Sequence, residues 1–237
     1  MAKTRQVKAL LFDVFGTLVD WRTSVAREAG ALLSASGFAV EWEAFADAWR
    51  DQYQPSLDEV RTGRRPFTLL DTLHRHNLDV VLHRFGLDRV DGATRAELNL
   101  AWHRLDAWPD VPAALARLRT GFRIAPCSNG NISLMVDLAR RNGFIWDAIL
   151  GAEVARDYKP KPAVYLDSVA ALGCEPEQTM MVAAHSYDLA AAAALGLRTA
   201  FVARPDERPG RSERLPSVPV DISVASMTAL ADELGCA

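Results

Sequence analysis

Val7-Lys8-Ala9-Leu10-Leu11-Phe12-Asp13-Val14-Phe15-Gly16-Thr17-Leu18 is the stretch on which the reading of this chain turns. The apolar run Val7, Ala9, Leu10, Leu11 and Phe12 predicts a buried strand, and a Gly16-Thr17 turn follows closely. The strand delivers the Asp13 carboxylate to its own end. In an open parallel sheet ligands lie beyond the carboxyl ends of the strands, so Asp13 stands where chemistry is done. A carboxylate there can act as a nucleophile and form a covalent ester. Phe15, two positions on, is apolar. A phosphate-ester hydrolase of this design would use an acid at that place to protonate its leaving group.

Outward from this stretch, both ends of the chain alternate short apolar runs with helix-like segments. Further strands are predicted at 122–128, 148–150, 180–184 and 199–202, with a last strand and helix after a surface loop at 204–219. Helices are predicted at 132–142, 163–172 and 189–195, each followed by a glycine that relieves the left-handed turn at a helix end. This alternation implies an α/β chain with a Rossmann-like, doubly wound parallel sheet. Segment 21–109 breaks the pattern and reads helical throughout. Trp42, Phe45, Ala46, Trp49 and Tyr53 define one apolar face, and Leu98, Ala101, Trp102 and Leu105 another. Trp108-Pro109-Asp110-Val111-Pro112 reads as the return hinge, because proline cannot continue a helix. The expected organisation is a catalytic α/β core domain from 1–20 and 110–237, with 21–109 as an inserted helical cap domain.

The 237 residues are 49% hydrophobic, enough for a core and a smaller second domain. A formal net charge of -3 gives no footprint for nucleic acid or an acidic membrane surface. No apolar stretch approaches the ~20 residues a spanning helix needs, and residues 1–6 carry no signal-peptide core before the first strand. Cys127, Cys174 and Cys236 are odd in number and widely spaced, without a metal-ligand or disulfide pattern. A cytoplasmic protein without nucleic-acid or membrane partners is expected.

Three further pieces converge on the rim beside Asp13 in such a sheet: Ser128-Asn129-Gly130-Asn131, Tyr158-Lys159-Pro160, and Ala183-Ala184-His185-Ser186-Tyr187-Asp188. In this order, with Asp13 to Leu18, they resemble the haloacid dehalogenase superfamily, and more narrowly its (S)-2-haloacid dehalogenase branch. The resemblance covers nearly the whole chain. It implies hydrolysis of short-chain 2-haloalkanoic acids to 2-hydroxy acids, a small-molecule substrate, no cofactor, and a homodimer that no residue by itself requires. The superfamily's phosphatases carry an acid two residues after the nucleophile and another four residues before the last motif's Asp. Phe15 and Ala184 stand at those places here, so a strong Mg²⁺ site is not expected. Halide leaves without being protonated, and carbon presents no phosphoryl charge for a metal to neutralise. A Mg²⁺-dependent phosphatase of the same superfamily and a non-hydrolytic binding protein on this scaffold are the competing readings.

Roles follow from this chemistry, each beside a plainer one. Asp13 attacks Cα, expels halide and becomes an ester that water hydrolyses; otherwise it caps a helix. Lys159 pairs with Asp13 and keeps it ionised, or is a solvated lysine. Thr17 bonds the Asp13 carboxylate, or caps the following helix. Asp188 orients or deprotonates the hydrolytic water with His185 as helper or alternative base, or caps a helix. Tyr165 hydrogen-bonds into the site, or packs on the core side of its helix. The resemblance implies that Ser128 and the amides of Val14 and Phe15 hold the substrate carboxylate. It likewise sets Asn129 toward the halogen and Arg50 on the halide, while Ser128-Asn129 also reads as turn chemistry and Arg50 as a helix-surface arginine. Arg61, Arg64 and Arg65 attract anions or form a solvated face. A Cys127–His185 nucleophile is disfavoured because Cys127 falls within an apolar strand.

Overall fold

The computed structural model describes residues 7–34 and 37–236; the run 1–6, read above as leading into the first strand, lies outside them. Six strands form one parallel sheet: β1 (Ala9–Phe12), β4 (Arg123–Ser128), β5 (Leu150–Gly151), β6 (Thr179–Ala183), β7 (Arg198–Val202) and β8 (Ile222–Val224). Their spatial order is β5-β4-β1-β6-β7-β8. β1 is therefore central, with Leu11 beside Ala125 of β4 and Met181 of β6. The order reverses at β1, so the crevice beyond its carboxyl end is the switch point where ligands bind in doubly wound sheets.

β1 is buried on both faces, which explains its unbroken apolar run. Its alternation splits the core. Ala9 and Leu11 join Val164, Tyr165, Val169 and Leu189 on one side, from α9 (Pro162–Ala171) and α10 (Ser186–Ala194). Leu10 and Phe12 face the other side, with α6 (Val111–Gly121), α7 (Ile132–Asn142) and α11 (Met227–Glu233). That second cluster continues without a break into the helices over the sheet's carboxyl edge. The helix read at 132–142 coincides with α7, and Gly143 after it takes φ 71°. The strand read at 148–150 starts later, at Leu150, and runs into the short helix α8 (Ala152–Ala155). There Gly151 adopts φ 115° against the Ser128 backbone, where a Cβ would lie 2.3 Å from the Ser128 carbonyl oxygen.

Between β1 and β4 come α1 (Trp21–Ser34), α2 (Trp42–Asp51), α3 (Tyr53–Arg61), α4 (Leu70–Arg84), α5 (Gly92–Asn99) and a 3-10 turn at Leu100–His103. Of the two predicted apolar faces only Trp42 keeps part of its surface in solvent. The segment is not helical throughout. β2 (Val19–Asp20) and β3 (Asp106–Ala107) pair antiparallel where it leaves and rejoins the core. The Trp108 indole donates to the Gly16 carbonyl at 2.9 Å beside that neck.

Candidate active site

Three strand ends and one loop supply the site. Asp13 follows β1, Ser128 closes β4, Lys159 precedes α9, and His185 and Asp188 open α10 after β6. Asp13 is 7% exposed and uses both oxygens. Its Oδ1 accepts from Lys159 Nζ at 2.9 Å, and its Oδ2 from the Thr17 hydroxyl at 2.7 Å. Oδ2 also lies 3.1 Å from His185 Nδ1. Thr17 in turn accepts the Ala184 amide at 2.9 Å, which locks the turn after β1 to the end of β6. Lys159 Nζ also reaches Asp188 Oδ2 at 2.5 Å, and the Tyr165 hydroxyl takes Asp188 Oδ1 at 2.5 Å. Both oxygens of Asp188 are thus engaged in a fully buried setting.

These contacts set the charges. Burial works against ionisation of Asp13, yet the Lys159 ammonium and then His185 outweigh it and hold the carboxyl below its usual range. Burial likewise opposes the Lys159 ammonium, but Asp13 and Asp188 hold its proton firmly. Asp188 moves up, because burial and the Asp13 charge beat its contact with Lys159. His185 is also raised despite burial, held protonated by Glu207 and Asp13.

Glu207 is the residue that sequence reasoning missed. The loop at 204–219, read as surface, folds inward at its start, and Glu207 is 7% exposed. Its Oε2 lies 3.0 Å from His185 Nε2, and its Oε1 accepts the Trp21 indole N–H at 2.8 Å. Gly16, at φ 84°, makes room: a Cβ there would lie 2.0 Å from Glu207 Oε1. The signal was topological, since a loop leaving β7 at its carboxyl end must start on the same rim as Asp13.

Asn129 accepts the Lys159 amide at 2.9 Å and donates to the Tyr53 hydroxyl at 2.9 Å, joining core to cap. The Ser128 hydroxyl accepts the Gly130 amide at 3.0 Å, and Val14 and Phe15 are buried in the turn after Asp13. Arg50, on α2, lies with its guanidinium carbon 4.0 Å from the Tyr53 ring and 5.8 Å from that of Phe15. Tyr165 touches Asp188, so its hydroxyl reaches the nucleophile only through that residue and Lys159. Arg61 pairs with Asp58, Arg65 with Glu59, and Arg64 is exposed. A cavity of about 260 Å³ between α2, α3 and the loop is lined by Arg50, Tyr53, Gln54, His185, Tyr187 and Glu207. His185 is its wall nearest Asp13.

The residues do not fit a Mg²⁺ ion. Phe15 and Ala184 offer no side-chain oxygen at the two expected places, and an ammonium already bridges Asp13 and Asp188. No group of three or more potential ligands occurs among the described residues.

The profile of haloacid dehalogenase-like hydrolases matches residues 7–196. The chain belongs to that family. This haloacid dehalogenase-like chain is 32% identical over 203 residues to (S)-2-haloacid dehalogenase 1 of Pseudomonas sp. (strain CBS-3), covering 84% of this chain and 85% of that protein. It superposes on the crystal structure of a defluorinating L-2-haloacid dehalogenase with a TM-score of 0.94 at 44% identity, over 96% of this chain and 95% of the other. For a second L-2-haloacid dehalogenase the TM-score is 0.92 at 43% identity, over 96% and 98%. No helix among the described residues is long and apolar enough to cross a membrane.

Within this dehalogenase-like site Cys127 plays no nucleophilic part. Its thiol is buried, pushed up to about 12 chiefly by burial, and directed at the Val164 carbonyl. Cys127→Ala is expected to keep kcat within about twofold, because a neutral buried thiol is not a nucleophile. A steady-state halide-release assay checks it.

Proposed function

We propose that this chain hydrolyses short-chain 2-haloalkanoic acids to 2-hydroxy acids through an ester on Asp13, without a metal, in a reducing cytoplasm. One observation carries the reading: a buried carboxylate is held ionised by Lys159 at 2.9 Å, beside the apolar positions Phe15 and Ala184. Such a site suits attack on carbon with an unprotonated leaving group. The likeness to L- and (S)-2-haloacid dehalogenases favours the same bond and makes (S)-2-chloropropanoate the first substrate to try.

An Asp13 oxygen forms a bond to Cα while the carbon–halogen pair leaves with the halide, inverting that carbon. Ser128 and the Val14 and Phe15 amides hold the substrate carboxylate, with Arg50 and Asn129 toward the halogen. The ester no longer carries the Asp13 charge. His185 then loses one of the two carboxylates that held its proton, and its pKa falls. The Nδ1 proton passes to solvent through the adjoining cavity, Nε2–H stays toward Glu207, and the bare Nδ1 that faces the ester takes a proton from water. That water attacks the Asp13 carbonyl carbon, the bond to the alkoxyl oxygen breaks, that oxygen takes the proton left on the Asp13 carboxyl, and the 2-hydroxy acid leaves with the Asp13 carboxylate and protonated His185 restored. We assign the water to His185 ahead of Asp188, because His185 borders the cavity whereas both Asp188 oxygens are occupied.

Chloride release from (S)-2-chloropropanoate in excess EDTA tests the reading. Turnover undiminished by the chelator is expected. Activity that vanishes with EDTA and returns with Mg²⁺ would favour the phosphatase reading.

A further inference from the structure

The peptides on either side of His185 are tied down by side chains from two other segments. Ahead of it, the Ala184 amide donates to the Thr17 hydroxyl at 2.9 Å. Behind it, the Ser186 amide donates to Glu213 Oε1 at 3.0 Å, and the Ser186 hydroxyl donates to Glu213 Oε2. Ser186 is buried, whereas Glu213 is partly buried and lines the same cavity as His185. The Ser186 hydroxyl also accepts the Ser217 amide at 2.9 Å, and the Ser217 hydroxyl donates to Glu213 Oε2 at 3.2 Å. Burial works against ionisation of Glu213, but the Ser186 and Ser217 contacts outweigh it and hold the carboxyl below its usual range.

The first N–H groups of a helix have no partner within it. His185 stands at the N-cap of α10 in extended backbone, φ -120° and ψ 115°, yet its side chain makes no capping bond. Its ring is turned instead to Asp13 and Glu207. Glu213, 27 residues beyond Ser186, caps the helix in its place, and a carboxylate suits the positive end of the helix dipole. We propose that Glu213 is a positioning residue for His185: by fixing the Ser186 peptide it sets the ring so that Nδ1 meets Asp13 and Nε2 meets Glu207. One loop then holds His185 twice, its ring through Glu207 and its peptide through Glu213.

The remainder of the site does not depend on Glu213. Asp13 keeps Lys159 and Thr17, and Asp188 keeps Lys159 and Tyr165. Loss of Glu213 therefore falls on the step that needs His185, hydrolysis of the ester, and spares the displacement that forms it. This rests on the displacement at carbon, and on the water assigned to His185, proposed above. The contacts can be removed separately. Glutamine at 213 keeps an oxygen for the Ser186 amide at the same side-chain length, and alanine keeps none. Ser186→Ala removes the hydroxyl bond and leaves the amide bond. Ser217→Ala removes a contact of Glu213 that does not touch the peptide following His185, at an exposed position.

Chloride release from (S)-2-chloropropanoate is followed through the first turnover and at steady state for the full-length protein and these variants. In Glu213→Ala the steady-state rate is expected to fall about tenfold or more, the worth of one hydrogen bond to a charged group. The first chloride should still be expelled at the wild-type rate, and mass spectrometry of the intact chain should show the ester on Asp13. Glu213→Gln should restore most of the steady-state rate, Ser186→Ala should lose part of it, and Ser217→Ala should keep it. An equal loss in both half-reactions, or no loss, would overturn the role. So would a Ser217→Ala variant as slow as Glu213→Ala, which would mean that Glu213 only anchors its loop. Ser186→Ala carries the comparison if Glu213→Ala does not fold. Nitrogen NMR of the His185 ring gives a readout that needs no turnover. Its shifts should move in Glu213→Ala and stay in Glu213→Gln, and shifts unmoved in both would overturn the role. If the wild type releases no chloride, displacement at carbon is wrong, and the ring shifts alone decide whether Glu213 sets His185.

Discussion

Asp13→Asn is expected to lower halide release from (S)-2-chloropropanoate by about 10⁴-fold or more, since removing a nucleophile removes its whole covalent route. The amide keeps the side chain's shape but has no charge to donate to carbon. The fold should survive the change. Lys159 retains Asp188 at 2.5 Å, and Thr17 retains the Ala184 amide at 2.9 Å. Its loss of rate should therefore appear without loss of helical signal by circular dichroism. A variant within tenfold of wild type would exclude Asp13 as the attacking group.

Glu207→Gln should act on the second half of the reaction. The Glu207 carboxylate both orients the His185 ring and raises its pKa against the cost of burial. A neutral amide orients less well and leaves a weaker base. General-base assistance is worth about 10²–10⁴-fold, so kcat should fall by about 10²-fold while the first halide is still expelled. The ester then accumulates, and mass spectrometry of the intact chain should show the added carboxyalkyl group on Asp13 in most molecules at steady state. Equal loss of the first halide, with no adduct, would show that Glu207 only supports the fold. The pair also predicts a stability trend. A histidine raised on folding contributes stability that is complete below its unfolded pKa, about 6.5, and is lost as pH rises through the folded value. Wild type should therefore lose more stability than Glu207→Gln on alkaline titration in urea.

The sheet was legible because burial writes plainly: β1 and β6 are buried on both faces and read as unbroken apolar runs. α7 was legible at both ends, since Asn142 precedes a left-handed glycine. The neck strands β2 and β3 were not, because each has two residues and no period to detect. In the site, Asp13 and Asp188 announced themselves by position just beyond strand ends and Lys159 by its Tyr-Lys-Pro setting, and the structure draws them into one buried chain of contacts. Glu207 escaped because the polar and proline-rich residues around it resemble any exposed loop; only its tertiary contacts with Trp21 and His185 bury it.

Oxygen-18 in a single turnover tests the central claim most directly. With enzyme in excess over (S)-2-chloropropanoate in labelled water, the covalent route gives unlabelled 2-hydroxypropanoate and places the label in the peptide containing Asp13. Label in the hydroxy acid from that first turnover, with none in the peptide, would mean that water attacks the substrate carbon itself.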